Sequence, residues 1–155
     1  MDNEIMVEVK NLSKSYGILR ALDSLSMTVR RGDIYGFIGP NGAGKTTTFK
    51  ILATILLQSS GTVKIDGVSI VDGDKIRSTI GYMPDVFGVY EDMTVSQYLD
   101  FFGAAYYIPA EKRKKLIADI LDLTDLAFKS GAMVKSLSRG MQQRLGVARV
   151  LIHDP

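Results

Sequence analysis

The chain has 155 residues, and 19 Lys and Arg against 17 Asp and Glu leave a formal net charge of +2 at pH 7. This balance lacks the basic excess that gathers phosphate backbones, so nucleic acid is not an expected partner. The absence of cysteine excludes disulfides, thiolate metal sites and cysteine nucleophiles. With 46% hydrophobic and 23% charged residues, the composition is that of a globular protein of about one domain.

The N-terminal part of the chain has the pattern of an antiparallel β subdomain. Apolar and polar residues alternate over residues 4–32, which is typical of half-buried strands. Residues 34–38 are a continuous apolar run and predict a strand covered on both faces. A helix is expected to begin at Lys45. Residues 61–67 predict a further strand between two glycine turns.

The second half of the chain is predicted to be mainly helical. Residues 80–83 predict a short buried strand, and residues 85–93 show no clear period and predict a loop. Thr94 begins a capping-box spacing followed by apolar residues at helical intervals. Pro109 suits the first turn of another helix. Ser138 can cap a last helix, although such a residue is by itself more often a plain cap than a ligand.

A glycine-rich loop lies between the predicted strand and the helix that begins at Lys45. Residues 39–46 match the pattern G-x-x-x-x-G-K-[ST]. A polyphosphate needs several donors on one concave surface, and backbone N–H groups converge only where side chains do not obstruct them. Lys45 can reach the β and γ phosphates, and the Thr46 hydroxyl can coordinate Mg²⁺. The predicted nucleotide-binding residues here are Gly39, Pro40, Asn41, Gly42, Ala43, Gly44, Lys45, Thr46 and Thr47.

The glycine loop alone leaves kinases, GTPases, helicases and transport ATPases open as classes. A GTPase would be expected to carry an Asn-Lys-x-Asp motif for guanine, and the chain has none. Adenine is therefore favoured over guanine as the base.

The order of these features resembles the nucleotide-binding domain of ATP-binding-cassette (ABC) transporters. Tyr16 stands where the family has the aromatic residue that stacks on adenine, and residues 39–46 stand at its Walker A segment. Without the resemblance, Tyr16 could also be a strand-end aromatic residue with a role in the core. Residues 80–85 occupy the place of the Q-loop, where Asp85 replaces the usual glutamine. The resemblance implies that Asp85 ligates Mg²⁺ or a water molecule.

Residues 137–142 resemble the LSGGQ signature of the same family. Arg139 and Met141 depart from it, whereas Ser138 and Gly140 are retained. In the family this helix N-terminus closes over the γ phosphate of ATP bound to a second nucleotide-binding domain. The resemblance therefore implies that Ser138 and Gly140 bind nucleotide.

The resemblance implies an α/β fold: a P-loop NTPase core with an N-terminal antiparallel β subdomain and a helical subdomain. Residues 1–90 would form the core with the β subdomain, and residues 91–155 the helical subdomain. The family's Walker B Asp-Glu and switch histidine come later than residue 155, so we expect an incomplete sheet, an absent C-terminal part and no catalytic residue in this chain.

The expected function is that of an ABC transporter subunit that binds Mg-ATP and couples its hydrolysis to transport through a membrane-spanning subunit. A second nucleotide-binding domain would be the other partner, and the protein would lie at the cytoplasmic face of the membrane. Two alternatives remain open. The chain could bind ATP without hydrolysing it, or it could belong to a soluble ABC-family ATPase that acts in translation or DNA repair.

Overall fold

A computed structural model describes residues 4–84, 88, 90 and 92–155, which divide into two compact units at residues 80 and 81. In the described part, the first unit contains β1 (Ile5–Tyr16), β2 (Leu19–Arg30), α1 (Lys45–Leu52), β3 (Ser60–Ile65), β4 (Val68–Ser69) and α2 (Gly73–Thr79). The second contains α3 (Val95–Ala105), α4 (Ala110–Leu123) and α5 (Arg139–Leu151), with short 3-10 helices at Ala127–Lys129 and Val134–Ser136. The functional assignment of residues 1–90 and 91–155 stays a prediction.

The first unit is built on an antiparallel sheet with the strand order β2-β1-β3-β4. Val9 of the central strand β1 lies opposite Met27 of β2 and Val63 of β3. Buried side chains of the sheet pack with Ile51 of α1 and Ile76 of α2. This unit therefore contains the predicted antiparallel subdomain, including the strand expected at residues 61–67, while α2 was not predicted.

Residues 34–38 do not form the buried strand that their apolar run predicts. No strand in the described part of the chain pairs with them, and Ile34 and Ile38 are 103% and 95% exposed. Within this run, the Phe37 ring packs edge-on against Phe49 of α1 at 5.8 Å. A strand needs neighbouring strands for its backbone hydrogen bonds. The prediction was wrong because the described residues do not supply those neighbours, and residues 80–83 also lack strand pairing.

The helices of the second unit begin where local capping signals place them. The Thr94 N–H donates to Gln97 Oε1 at 2.9 Å, and the Gln97 N–H donates to Thr94 Oγ1 at 3.3 Å, so the capping box is complete. Pro109 precedes α4 directly. The Met141 N–H donates to Ser138 Oγ at 3.4 Å, which confirms the predicted cap of α5.

One apolar core fills the second unit. Its buried residues are Val95, Tyr98, Leu99, Ile117, Ile120, Leu121, Leu126, Val134, Leu137, Leu145, Ala148 and Ile152. Arg113 of α4 also links α4 to α3, because its Nε donates to Asp100 Oδ1 at 2.6 Å while its Nη1 donates to the Ile108 carbonyl at 2.7 Å.

Over the residues that the structure describes, none of the helices is both long and apolar enough to cross a membrane.

Candidate nucleotide-binding site

The glycine loop reaches α1 through a backbone conformation that excludes larger residues at its end. Gly44 has φ +82°, in the left-handed region. A Cβ atom there would lie 2.4 Å from Leu22 Cδ2 and 2.7 Å from the Ala21 carbonyl oxygen. Gly44 therefore serves two needs, the turn into the helix and the close approach of the loop to β2.

The Lys45 ammonium group lies folded over the glycine loop. Its Nζ atom donates to the Gly39 carbonyl at 2.6 Å and to the Pro40 carbonyl at 2.7 Å. Both acceptors are neutral, and no carboxylate in the described part of the chain forms an ion pair with Lys45. The cation is thus held at the loop with its charge uncompensated, which suits an anionic ligand.

The N-terminus of α1 has neither a capping side chain nor an acidic residue to interact with its free N–H groups. Gly44 offers no side-chain cap, and the first turn contains no acidic residue. The first N–H groups of a helix have no intrahelical acceptor, and its dipole favours negative charge there. Thr46 is exposed and Thr47 half-buried at this end. A phosphate group could therefore accept hydrogen bonds from backbone and hydroxyl donors together.

Tyr16 lies at the end of β1, opposite Leu19 of β2. Tyr16 is 48% exposed, so it is not a core residue and its ring is accessible for stacking. The Lys14 ammonium lies 5.2 Å from the centroid of this ring. The sequence did not single out Lys14, because its other contact, the hydrogen bond from its Nζ atom to the Leu57 carbonyl, joins residues 43 positions apart.

The protein supplies only some of the ligands that a Mg²⁺ ion at this site would need. In the described residues, no three His, Asp or Glu side chains form a group that could hold a metal ion. Mg²⁺ is commonly bound through one or two protein ligands together with substrate phosphates, and the Thr46 hydroxyl at the start of α1 fits such a role. Asp85, the other predicted metal ligand, lies outside the described residues.

Ser138 and Gly140 lie in the second unit, at the start of α5. Ser138 caps the helix, as its structural role requires. Gly140 is exposed, and a Cβ atom built on it would meet nothing within 4 Å. The fold of this chain therefore gives no packing reason for a glycine at position 140.

Comparison with known proteins identifies the family to which the chain belongs. A family model described as ABC transporter matches residues 22–155. The match covers most of the chain, and the chain belongs to this family.

Named relatives and solved structures agree with this assignment. The chain is 39% identical over 151 residues to "Nod factor export ATP-binding protein I" of Ralstonia nicotianae, covering 97% of this chain and 47% of that protein. A dimeric bacterial ABC transporter cassette is similar with a TM-score of 0.85 and 25% identity, covering 97% of this chain and 71% of that one. For cbiO1 of Clostridium perfringens, part of the complex cbiONQ, the TM-score is 0.83 at 26% identity, covering 98% and 63%.

These similarities confirm the predicted fold class. The chain has the fold of ABC ATP-binding subunits, with a sheet that is incomplete in this chain. It spans about half the length of the Ralstonia relative.

Proposed function

We propose that this chain is part of an ABC transporter subunit that binds Mg-ATP and couples its hydrolysis to transport through a membrane-spanning partner. The observation that carries the proposal is the arrangement of the glycine loop. An uncapped helix N-terminus and the Lys45 ammonium, which forms no ion pair with the described carboxylates, converge on the same loop. A triphosphate supplies negative charge for Lys45 and hydrogen-bond acceptors for the free N–H groups of the helix.

Each part of the nucleotide has a proposed partner in the first unit. The exposed ring of Tyr16 stacks on adenine. The backbone N–H groups of residues 39–47 hold the phosphates, and Lys45 binds the β and γ phosphates. The Thr46 hydroxyl coordinates Mg²⁺, and Asp85 provides a second contact to the metal or its water.

Ser138 and Gly140 are proposed to contact the γ phosphate of ATP bound to a second nucleotide-binding domain. The open space at Gly140 supports this proposal, because an incoming phosphate can approach the backbone there without meeting a side chain. The similarity to a cassette solved as a dimer also supports it.

The proposed partners and location follow from the family. Its relatives include an ATP-binding protein for Nod factor export and a subunit of a transporter complex. We therefore propose a membrane-spanning partner subunit, a second nucleotide-binding domain and a place at the cytoplasmic face of the membrane. Transport is favoured over a soluble role in translation or DNA repair by these relatives.

A protein that binds ATP without hydrolysing it is the second candidate. It is favoured because no three His, Asp or Glu side chains among the described residues form a group that could hold a metal ion. None of the 155 residues is assigned to the hydrolytic step. Phosphate release from the purified chain tests the second candidate: turnover that Lys45→Ala abolishes would remove it.

Calorimetric titration with ATP and Mg²⁺ tests the binding proposal directly. Lys45→Ala should weaken ATP affinity about 10- to 100-fold, because a hydrogen bond to a charged group contributes about 1.5–3 kcal/mol. Lys50→Ala is the matched control, since Lys50 lies on the same helix in its last turn. This control should change the affinity less than about twofold. Failure of the folded wild-type chain to bind ATP at millimolar concentration would contradict the proposal.

A further inference from the structure

Lys14 joins the end of β1 to the loop that follows α1. Its Nζ atom lies 5.2 Å from the centroid of the Tyr16 ring and donates to the Leu57 carbonyl at 2.6 Å. We propose that Lys14 is a positioning residue for the base of the nucleotide: it fixes the Tyr16 ring relative to the glycine loop and leaves one ring face for adenine. This inference rests on the proposed stacking of adenine on Tyr16.

The contact of Lys14 with the ring is of the kind that orients an aromatic side chain. A cation within about 6 Å of a ring centroid is attracted to the negative face of the ring. The ammonium occupies one face, so a stacked base has the opposite face of the half-exposed ring available. Because the second partner of Lys14 is a backbone carbonyl, the ammonium is held in place independently of the Leu57 side chain.

Two further hydrogen bonds fix the same end of β1 against the same loop. The Ser15 N–H donates to Ser59 Oγ at 3.0 Å, and the Ser59 N–H donates to the Ser13 carbonyl at 2.9 Å. The loop begins directly after α1, whose first residues follow the glycine loop. The position of Tyr16 is therefore tied to the C-terminal end of the helix whose N-terminus is proposed to bind phosphate.

A second chain of contacts runs from Lys14 to the glycine loop itself. Lys14 lies opposite Leu22 in the β1–β2 ladder. Leu22 in turn lies so close to Gly44 that a Cβ atom there would be 2.4 Å from its Cδ2 atom. Adenine and triphosphate are linked covalently, so both must be bound at one fixed separation. A rigid link between their two sites reduces the entropy that binding costs.

The test compares ATP with inorganic tripolyphosphate, which lacks the base and the ribose. Lys14→Met should weaken the affinity for Mg-ATP about three- to fivefold, the size expected for an exposed cation–π contact. It should leave the affinity for tripolyphosphate unchanged. Lys10→Met is the matched control, because Lys10 lies on the same strand and pairs with Glu8. This control removes the same charge and should change neither affinity.

A double-substitution cycle shows whether Lys14 acts through Tyr16. Tyr16→Ala should remove the preference for ATP over tripolyphosphate that depends on stacking. Adding Lys14→Met to Tyr16→Ala should then cause no further loss, and Lys14→Arg should retain most of the preference. Equal losses for ATP and tripolyphosphate in Lys14→Met, or losses that add in the double variant, would overturn the inference.

A fluorescence measurement gives a readout that a purely structural role would not change. The chain contains no tryptophan, so Tyr16→Trp introduces a single reporter. ATP should quench its emission and tripolyphosphate should not. Lys14→Met in this background should lower the anisotropy of the free protein, because the ring is no longer held; unchanged anisotropy would count against the inference.

The two proposals can fail separately. If the wild-type chain binds ATP and tripolyphosphate equally well, the stacking role of Tyr16 fails and the role of Lys14 fails with it. If the wild-type chain prefers ATP and Lys14→Met keeps the full preference, the inference about Lys14 alone is overturned. Far-UV circular dichroism of each variant confirms that the comparison is made on folded protein.

Discussion

The helical unit, residues 81–155, and the apolar run at residues 34–38 of the first unit differ in whether their apolar side chains are buried. In the helical unit, apolar positions at helical spacing on α3, α4 and α5 are buried in one core. In the first unit, the apolar run at residues 34–38 leaves Ile34 and Ile38 exposed to solvent. Both patterns predicted burial from the sequence, and only one is buried in this chain.

The difference arises from where each element finds its hydrogen-bond partners. A helix satisfies its backbone within itself, so an apolar stripe and two caps decide both its form and its buried face. A strand takes its partners from other segments. An apolar run therefore predicts the tendency of a segment to become a strand, while its burial depends on strands elsewhere.

The largest expected effect is on the free energy of unfolding, when an apolar side chain is truncated at a buried position of the helical unit and at an exposed position of the first unit. Leu126→Ala should lower the free energy of unfolding by about 2–5 kcal/mol, because Leu126 is 0% exposed and its removal leaves a cavity. Ile38→Ala should change it by less than about 0.5 kcal/mol, as for a surface substitution. Urea denaturation followed by circular dichroism measures both. A large loss in Ile38→Ala would show that the segment is covered in solution.

Gly44 of the first unit and Gly140 of the helical unit, both proposed ligand contacts, should respond differently to substitution by alanine. Gly44→Ala should lower the free energy of unfolding by about 2–4 kcal/mol, since a left-handed conformation and a tight contact with β2 both oppose a Cβ atom. Gly140→Ala should leave it unchanged or raise it by up to about 1 kcal/mol, because the site is open and alanine favours helix. Urea denaturation of the two variants in parallel provides the measurement.

Gly140→Ala is also expected to separate stability from ATP turnover. In the complete transporter subunit, Gly140→Ala should reduce ATP turnover although its stability is intact, because the added methyl group stands where the γ phosphate is proposed to approach. If turnover is unaffected, Gly140 has no close contact with nucleotide. If stability falls instead, the glycine serves the fold.

The sequence predicted those parts of the structure that depend on neighbouring residues. The caps at Thr94 and Ser138 were predicted because a cap involves residues within one turn. The start of α1 at Lys45, directly after the glycine loop, was predicted for the same reason, since the motif that ends in this lysine is a local signal for a helix start. The role of Asp85 and the other assignments of ligand contacts stay predictions.

Other features could not be predicted because they depend on distant segments. The position of Lys14 against the Leu57 carbonyl joins residues 43 positions apart. The exposure of Ile34 and Ile38 depends on strands that are not paired with them. In both cases the local residue types are compatible with several arrangements, and tertiary contacts decide between them.

The smallest expected effect concerns a polar group inside the helical core. Tyr98 is fully buried on α3, and Arg149 Nη1 lies 3.5 Å from its hydroxyl oxygen. Burial raises the pKa of Tyr98, and the nearby Arg149 charge opposes part of that rise. The unfolded chain would release this proton near pH 10, while the folded chain holds it to higher pH. The contribution of Tyr98 to stability is therefore complete below about pH 10 and is lost as the pH rises through the folded pKa.

Tyr98→Phe should flatten this alkaline loss of stability, because phenylalanine has no proton to release. Tyr107→Phe is the matched control, since Tyr107 is 94% exposed and should leave the dependence on pH as in the wild type. Urea denaturation at several values between pH 8 and pH 11 or so covers the relevant range. An equally steep loss in Tyr98→Phe would mean that another group limits stability at high pH.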